Sequence, residues 1–457
     1  VMRHFSDYVR KLSLIIISST FLLTASIPAN AAFDWTSAKG ESINVQLNKH
    51  PYADAIILQI PQFEKLTGIS VTYSVTTEDT YFENLTAGLN SDHSPDVFMT
   101  GSYQLWDYAS KGHVQYLDAL INEPDRTESQ FDIEDFFEGV LNGDRWDLTP
   151  GHPVGTGKLW AIPLGFEANV LIYNKRALEK KGLTVPQTFD ELLEISKELN
   201  GWNGIDSYGT AIRGSLSWAT IHPGYMSAFS NAGAKDFTIR NGRLVSLLDS
   251  PESIKVTQTY AQLIKESGPK QWSFYTWYNV MNDIGNGRAA MALDADILGF
   301  FMNKDPDSRE GRNLAFAPMP VFDNGVQGAN EWIWSLAMSN SSAHKQAAWL
   351  FMQYMTGKKQ MLWGATHNYL VNPVRKSIWD SKEWQLVIKG ITGYEETFMK
   401  IIDNVGIKFT PQPMFFETTT DWAGALQDIV LNNAPVAQRM KELANSVDRK
   451  VSTIPIQ

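Results

Sequence analysis

The sequence predicts an α/β protein of two or three lobes, and three observations carry that expectation. Its 457 residues, 43% of them hydrophobic, are enough to bury a large core. Ser42 to Val75 reads as strand, helix, strand, the order of a parallel pair joined by a crossover helix. A second unit of the same kind begins after Lys175. There is no Cys, so the fold rests on core burial and not on cross-links, and thiol chemistry and thiolate metal sites are excluded.

Taken in order, residues 2–31 have the pattern of a secretory signal. Arg3, Arg10 and Lys11 supply the positive region, Leu12 to Leu23 the apolar run, and Ala29-Asn30-Ala31 the cleavage motif. The run is short and interrupted by Ser13, Ser18, Ser19 and Thr20, which favours a cleaved signal over a permanent span. Ser42 to Asn48 alternates Ile43, Val45 and Leu47 as a strand. Residues 52–67 have helical spacing, with a kink expected at Pro61 and a stop at Gly68. Ile69, Val71, Tyr73 and Val75 alternate again, and Ser94-Pro95-Asp96 precedes a strand at Val97 to Met99. In such sheets ligands sit beyond the carboxyl ends of strands, which nominates Asn48 to His50, Thr76 to Asp79 with Glu78, and Gly101 to Tyr103 with Ser102 as pocket loops.

The run Gly157 to Lys175 is apolar on both sides of Gly165-Phe166-Glu167 and reads as two short buried strands joined through one carboxylate. A lone Glu there is costly to bury unless donors meet it. A neighbouring Arg, backbone amides or a ligand would each serve, and spacing alone does not choose among them. Farther on, Thr188-Phe189-Asp190-Glu191 is a capping box. Tyr208 to Arg213 predicts a strand, Trp218 to Ser230 a helix, Pro251 to Ser267 and Asn279 to Gly287 two more, and Ala289 to Leu293 a strand ending at Asp294. Asn313 to Pro320 and Glu331 to Met338 predict strands. Ala343 to Thr356 is an amphipathic helix whose Ala347, Leu350, Phe351 and Tyr354 form a core face. From Trp384 onward the chain is mainly helical.

The net charge of −11, without a basic run, argues against nucleic acid and anionic membrane surfaces as partners. The eight His residues are scattered, so no metal site is legible, and no cofactor is expected. Gly155-Thr156-Gly157-Lys158 lacks the first Gly and the final Ser or Thr of a phosphate loop and reads as a turn. No nucleophile elbow is present. The fifteen Trp residues include Trp218, Trp272, Trp277, Trp332, Trp334 and Trp422, several at predicted loops or strand ends. A Trp face is a flat platform for a sugar or polyol, while carboxylates and Arg hold its hydroxyls. Each Trp alone is more often core. The combination of Glu167, Arg213, Asp294 and two or three Trp points to a ligand, and both acids are expected to serve it and not the fold.

From Ser42 to Asn445 the chain resembles the extracellular solute-binding proteins of ABC importers, the sugar-binding family that includes maltose-binding protein. The resemblance is carried by FEKLTGISV (Phe63 to Val71), SPDVFMTG (Ser94 to Gly101), GKLWAIPLGFEANVLIYNK, TFDELLEISKEL, GNGRAAMALD (Gly285 to Asp294) and WSLAMSNSSAHKQAAWLFMQYMTG (Trp334 to Gly357). Maltose-binding protein has a similar E-A-x-x-L-I-Y-N-K run, with its pocket Glu at the position of Glu167. AIRGSLSW (Ala211 to Trp218), AAMALDAD (Ala289 to Asp296) and NEWIWSLAM (Asn330 to Met338) are similar to the sorbitol- and mannitol-binding subgroup. Glu331 departs from it, being an acid where the related run has none.

The resemblance implies a two-lobe periplasmic-binding-protein fold of type II with hinge crossings and a helical C-terminal region. Its expected parts are a signal at 1–31, a first lobe at 32–165, a second at 166–332, a return segment at 333–372, and a helical remainder of the second lobe at 373–457. It implies that Arg213, Asp294 and Trp332 or Trp334 face the ligand and that a loop at Ser102-Tyr103 closes from the first lobe. Asp296 and Trp422 stay open as contacts. The implied protein is a periplasmic monomer that captures a neutral polyol or small saccharide by hinge closure and docks on a membrane permease, with no chemical conversion. The alternatives are a secreted glycoside hydrolase, which needs two carboxylates across one bond, and a binder of a charged ligand. A polyamine would use Asp294, Asp296 and Glu167, and a sulfonated sugar Arg213.

Overall fold

The computed structural model describes residues 32–456, so the expected signal segment lies outside the described residues. Chain order alternates strands and helices. β1 (Ser42–Asn48) leads through helix α1 (Pro51–Thr67) to β2 (Ser70–Thr76), then through α2 (Glu78–Leu89) to β3 (Val97–Gly101) and α3 (Ser102–Ser110). A two-residue hairpin, β4 (Arg145–Trp146) and β5 (Lys158–Leu159), precedes the long β6 (Ile162–Asn174). β7 (Tyr208–Ala211), the hairpin β8 (Phe237–Arg240) and β9 (Arg243–Ser246), β10 (Ala289–Ala295), β11 (Leu314–Ala317), β12 (Ala329–Met338) and β13 (Val405–Gly406) follow, with helices between and after them.

Local chemistry explains the ends of these elements. His50 caps α1 by accepting the Tyr52 amide at 3.2 Å, and Gly68 ends it at φ 70°, a left-handed conformation that costs Gly least. α1 runs on through Pro61 as one helix. The capping box is present: Thr188 and Glu191 satisfy each other's backbone amides at the start of Phe189–Glu198.

The main sheet runs β2-β1-β3-β12-β6-β10-β7, with β11 added to β6 and β13 to β12. β1 is parallel to β2 and β3, whereas β12 is antiparallel to both β3 and β6. Where two short strands were expected, β6 is one strand of 13 residues. Its first half pairs with β12, and its second half pairs with β10 and β11. A register shift leaves Leu164 unpaired between Pro163 and Gly165, so the Pro and the Gly are absorbed at a bulge and do not end the strand. β6 and β12 therefore run side by side and link the two lobes through continuous backbone pairing.

Other expectations are corrected. β2 forms as expected, but its alternating Tyr73 and Val75 do not make a buried face, being 47% and 40% exposed at the edge of the sheet. The helix expected over Trp218 to Ser230 is broken at Pro223 into a 3-10 turn, Trp218–Thr220, and a helix, Gly224–Asn231. Ser102 and Tyr103 are not a loop; they open α3 directly after β3.

A candidate ligand site at the crossing strands

Trp332 is paired with Glu167 and Trp334 with Gly165, so these side chains rise from one face of the β6–β12 pair. They line a small cavity. His50 and Glu78 reach it from the ends of β1 and β2, and Arg213, Trp218 and Trp277 from the segments after β7. Eight of the twelve residues nominated from the sequence are thus brought together. A wider groove of about 720 Å³ adjoins it, sharing Glu78, Arg213, Trp218 and Trp277.

The walls are aromatic. Trp218 stacks on Trp332 with centroids 5.0 Å apart, Trp332 meets Trp334 edge-on at 5.1 Å, and Phe82 lies flat on Trp334 at 5.6 Å. Gly101 makes this possible, since a Cβ there would overlap the Trp332 indole.

The polar groups are held unequally. Arg213 is 5% exposed and forms a two-point pair with Asp294, Nε to Oδ2 at 2.9 Å and Nη2 to Oδ1 at 2.6 Å. Asp294 is 0% exposed and is not part of the cavity wall. The expectation that it faces ligand is corrected, because its oxygens are spent on holding Arg213 and on the Ala295 amide. Glu167 is buried with His50 Nε2 3.7 Å away. Burial pushes its carboxyl up to about 8, an effect reduced by Arg213 and reinforced by Asp294. Half-buried Glu78, at the first turn of α2, is pushed up to about 7 by burial, again moderated by Arg213. His50 is buried and kept neutral, its basicity falling to about 3 through loss of solvent.

Three further nominated residues stand outside the cavity lining. Ser102 donates to Asp144 Oδ1 at 2.7 Å. Tyr103 packs on Trp332 and Phe415, and its hydroxyl bonds the Glu331 carbonyl and accepts from Asn330 Nδ2 at 3.0 Å. Both are tied to the crossing strand through partners far off in sequence. Asn48 is fully buried at the end of β1, beside Thr76 of β2, with no protein partner for its amide. Of the two open residues, Asp296 accepts the Ala168 amide at 3.2 Å and Asn372 Nδ2 at 2.8 Å, while Trp422 packs in the core on Phe229 and donates to the Tyr225 hydroxyl at 3.2 Å. Asp294 and Asp296, the acids that a hydrolase or a polyamine site would draw on, are thus both engaged inside the fold.

His222 was not nominated, yet it lines the cavity, stacked against Trp218 at 5.5 Å and Trp332 at 5.1 Å. Its only sequence signal is its position four residues after Trp218. Ala295, Ile297 and Leu298 complete the lining with apolar surface.

Comparison with known proteins agrees with this architecture. The chain is 38% identical over 424 residues to an erythritol/L-threitol-binding protein of Mycolicibacterium smegmatis, covering 92% of this chain and 88% of that one. A solute-binding protein from Agrobacterium radiobacter, solved with ribitol, superposes with a TM-score of 0.77 at 19% identity, covering 90% of this chain and 99% of that one. One from Agrobacterium vitis with D-mannitol gives 0.75 at 22%, with the same coverages. These likenesses establish the two-lobe type II fold. Residues 49–362 match the family described as bacterial extracellular solute-binding protein, and the chain belongs to that family.

Proposed function

We propose that this chain is the solute-capturing component of an ABC importer and that its ligand is a short neutral polyol, with four-carbon polyols the first to test. The observation that carries the reading is the cavity itself. It is small and lined by four Trp rings together with a few converging polar groups, the make-up of a small-molecule site. Trp rings offer faces to C–H groups, and Glu167, Glu78, Arg213 and His50 offer partners for hydroxyls. The name of the Mycolicibacterium relative points the same way.

In this reading His50 and Glu78 contact ligand from the first lobe, and Arg213, Trp218 and Trp277 from the second. Glu167, Trp332 and Trp334 contact it from the crossing strands. The lobes exchange chain near Gly165, near Trp332 and again near Asn372, whose amide bonds the Phe166 carbonyl at 3.1 Å. Ligand that touches both lobes only when they are closed stabilises the closed form. The closed protein, a monomer in the periplasm, docks on a membrane permease, and the ligand leaves chemically unchanged.

A thermal-shift screen of polyols, sugars, glycosides and polyamines tests the proposal. A ligand at about 100 times its dissociation constant stabilises by roughly 2.7 kcal/mol. Erythritol, threitol or a pentitol is expected to raise the melting temperature. A shift by amines alone overturns the polyol reading, and steady product release from a glycoside overturns the binding-protein reading.

A further inference from the structure

His222 is 2% exposed, and its two ring nitrogens have different surroundings. Nε2 is 3.4 Å from Arg213 Nη1. A guanidinium has donors and no acceptor, so Nε2 must be the accepting nitrogen and the single proton of the neutral ring sits on Nδ1. Burial and then the Arg213 charge hold the ring well below its usual basicity, so the neutral form persists. Nδ1 is buried and has no protein partner. The residue's backbone is fixed, because its carbonyl accepts from Asn169 Nδ2 at 3.0 Å and from Asn330 Nδ2 at 2.7 Å, one from each crossing strand.

His50 presents the opposite arrangement. Its Nδ1 accepts the Tyr52 amide, so its proton lies on Nε2, which faces Glu167. The cavity therefore holds two neutral histidines in opposite tautomers, each set by a protein contact on its other nitrogen.

Resting on the polyol reading, we propose that His222 is a ligand-contacting, specificity-determining residue whose Nδ1–H donates to a hydroxyl oxygen of the bound polyol. A buried donor left unpaired is costly, so a ligand that brings an oxygen is favoured over its deoxy analogue. His222 joins that contact to the hinge, since the strands that carry Asn169 and Asn330 are those linking the lobes.

The test has two readouts. The first is a long-range ¹H–¹⁵N spectrum of the unliganded, ¹⁵N-histidine-labelled protein, with His222 assigned by its loss in His222→Gln. An Nδ1–H tautomer for His222 and an Nε2–H tautomer for His50 are expected; an Nε2–H tautomer at His222 overturns the inference whether or not any polyol binds. The second is calorimetry with erythritol, L-threitol, ribitol and mannitol on wild type, His222→Asn and His222→Gln. Asn keeps an amide near the Nδ1 position and Gln keeps one near Nε2. Gln is expected to weaken the best-bound polyol by about tenfold or more, and Asn clearly less, with unliganded melting temperatures alike. Wild-type affinity retained by Gln, or Asn weaker than Gln, overturns the inference alone. A wild type that binds none of the four overturns the functional reading, and the proposed contact with it.

Discussion

Glu167 Oε1 and His50 Nε2 face each other across 3.7 Å, one from the middle of a crossing strand and the other from the cap of α1. The gap is too long for a hydrogen bond. With the His50 proton on Nε2, the pair offers one donor and one acceptor side by side, which suits a hydroxyl group, itself both donor and acceptor. Glu167→Gln is expected to weaken polyol binding by about two- to tenfold, since a carboxyl pushed up to about 8 is mainly neutral at pH 7 and a neutral hydrogen bond contributes roughly 0.5–1.5 kcal/mol. The unliganded melting temperature should hold or rise, because the substitution removes a buried carboxyl. Calorimetry beside a melt of the free protein checks both, and a fall in the unliganded melt that accounts for the loss would mark Glu167 as structural.

Asp294 should behave differently, although sequence reading paired it with Glu167. It is fully buried against Arg213, and removing one member of such a pair costs about 3–5 kcal/mol through the charge left behind. Asp294→Asn is therefore expected to lower unliganded stability as well as affinity in chemical denaturation and calorimetry. Replacing the pair by Arg213→Met with Asp294→Leu should recover much of the stability and none of the binding. Recovery of binding in the double variant would remove Arg213 from the site.

What was legible in the sequence is what local chemistry decides. The β1 alternation, the Gly68 stop and the Thr188 capping box depend on neighbours within a few residues, and all three are present. The crossing strand reads as two in the sequence because Gly165-Phe166-Glu167 puts a glycine and a lone carboxylate between two apolar runs; the partner that keeps the strand continuous, β12, lies more than 150 residues away. The same distance effect shaped the site. His50, Glu78 and Trp277 were reachable from strand ends and Trp positions, whereas Asp294 was misassigned because Arg213 absorbs it, and Tyr103 because its hydroxyl is held by Asn330. His222 carries no periodic pattern, and only its stacking partners reveal it.

Gly101 supports Trp332 in a way a single methyl group tests. In Gly101→Ala the new Cβ overlaps the indole and comes within 2.5 Å of Gln104 Oε1, so Trp332 must shift. Overpacking of this kind costs roughly 1–3 kcal/mol. The variant is expected to melt lower, bind polyol more weakly and show an altered tryptophan emission. Trp332→Phe added to Gly101→Ala should restore part of the stability, and its failure to do so would mean that Gln104, not Trp332, sets the limit.

Glu331 gives the chain a pH dependence on the side of the sheet away from Trp332 and Glu167. It is 0% exposed, and neither carboxyl oxygen has a hydrogen-bond partner. Burial and then Asp144 push its carboxyl up to about 8, with Lys408 opposing. Asp144, bonded by Ser102 and Ser335, is itself pushed up to about 7 by burial. A carboxyl whose folded value lies above its unfolded one binds its proton more tightly in the native state. Its contribution to stability is full below the unfolded range, near 4.5, and is lost as pH rises through about 8. Unfolding free energy is therefore expected to fall between pH 6 and pH 9, each such group adding at most about 1.4 kcal/mol per pH unit. Glu331→Gln cannot ionise, so its stability should fall less steeply and exceed that of wild type at pH 9. Denaturation curves for both proteins at pH 6, 7.5 and 9 measure this. Parallel curves would show that Glu331 ionises as easily in the native state as in the unfolded chain, and that Lys408 outweighs the burial.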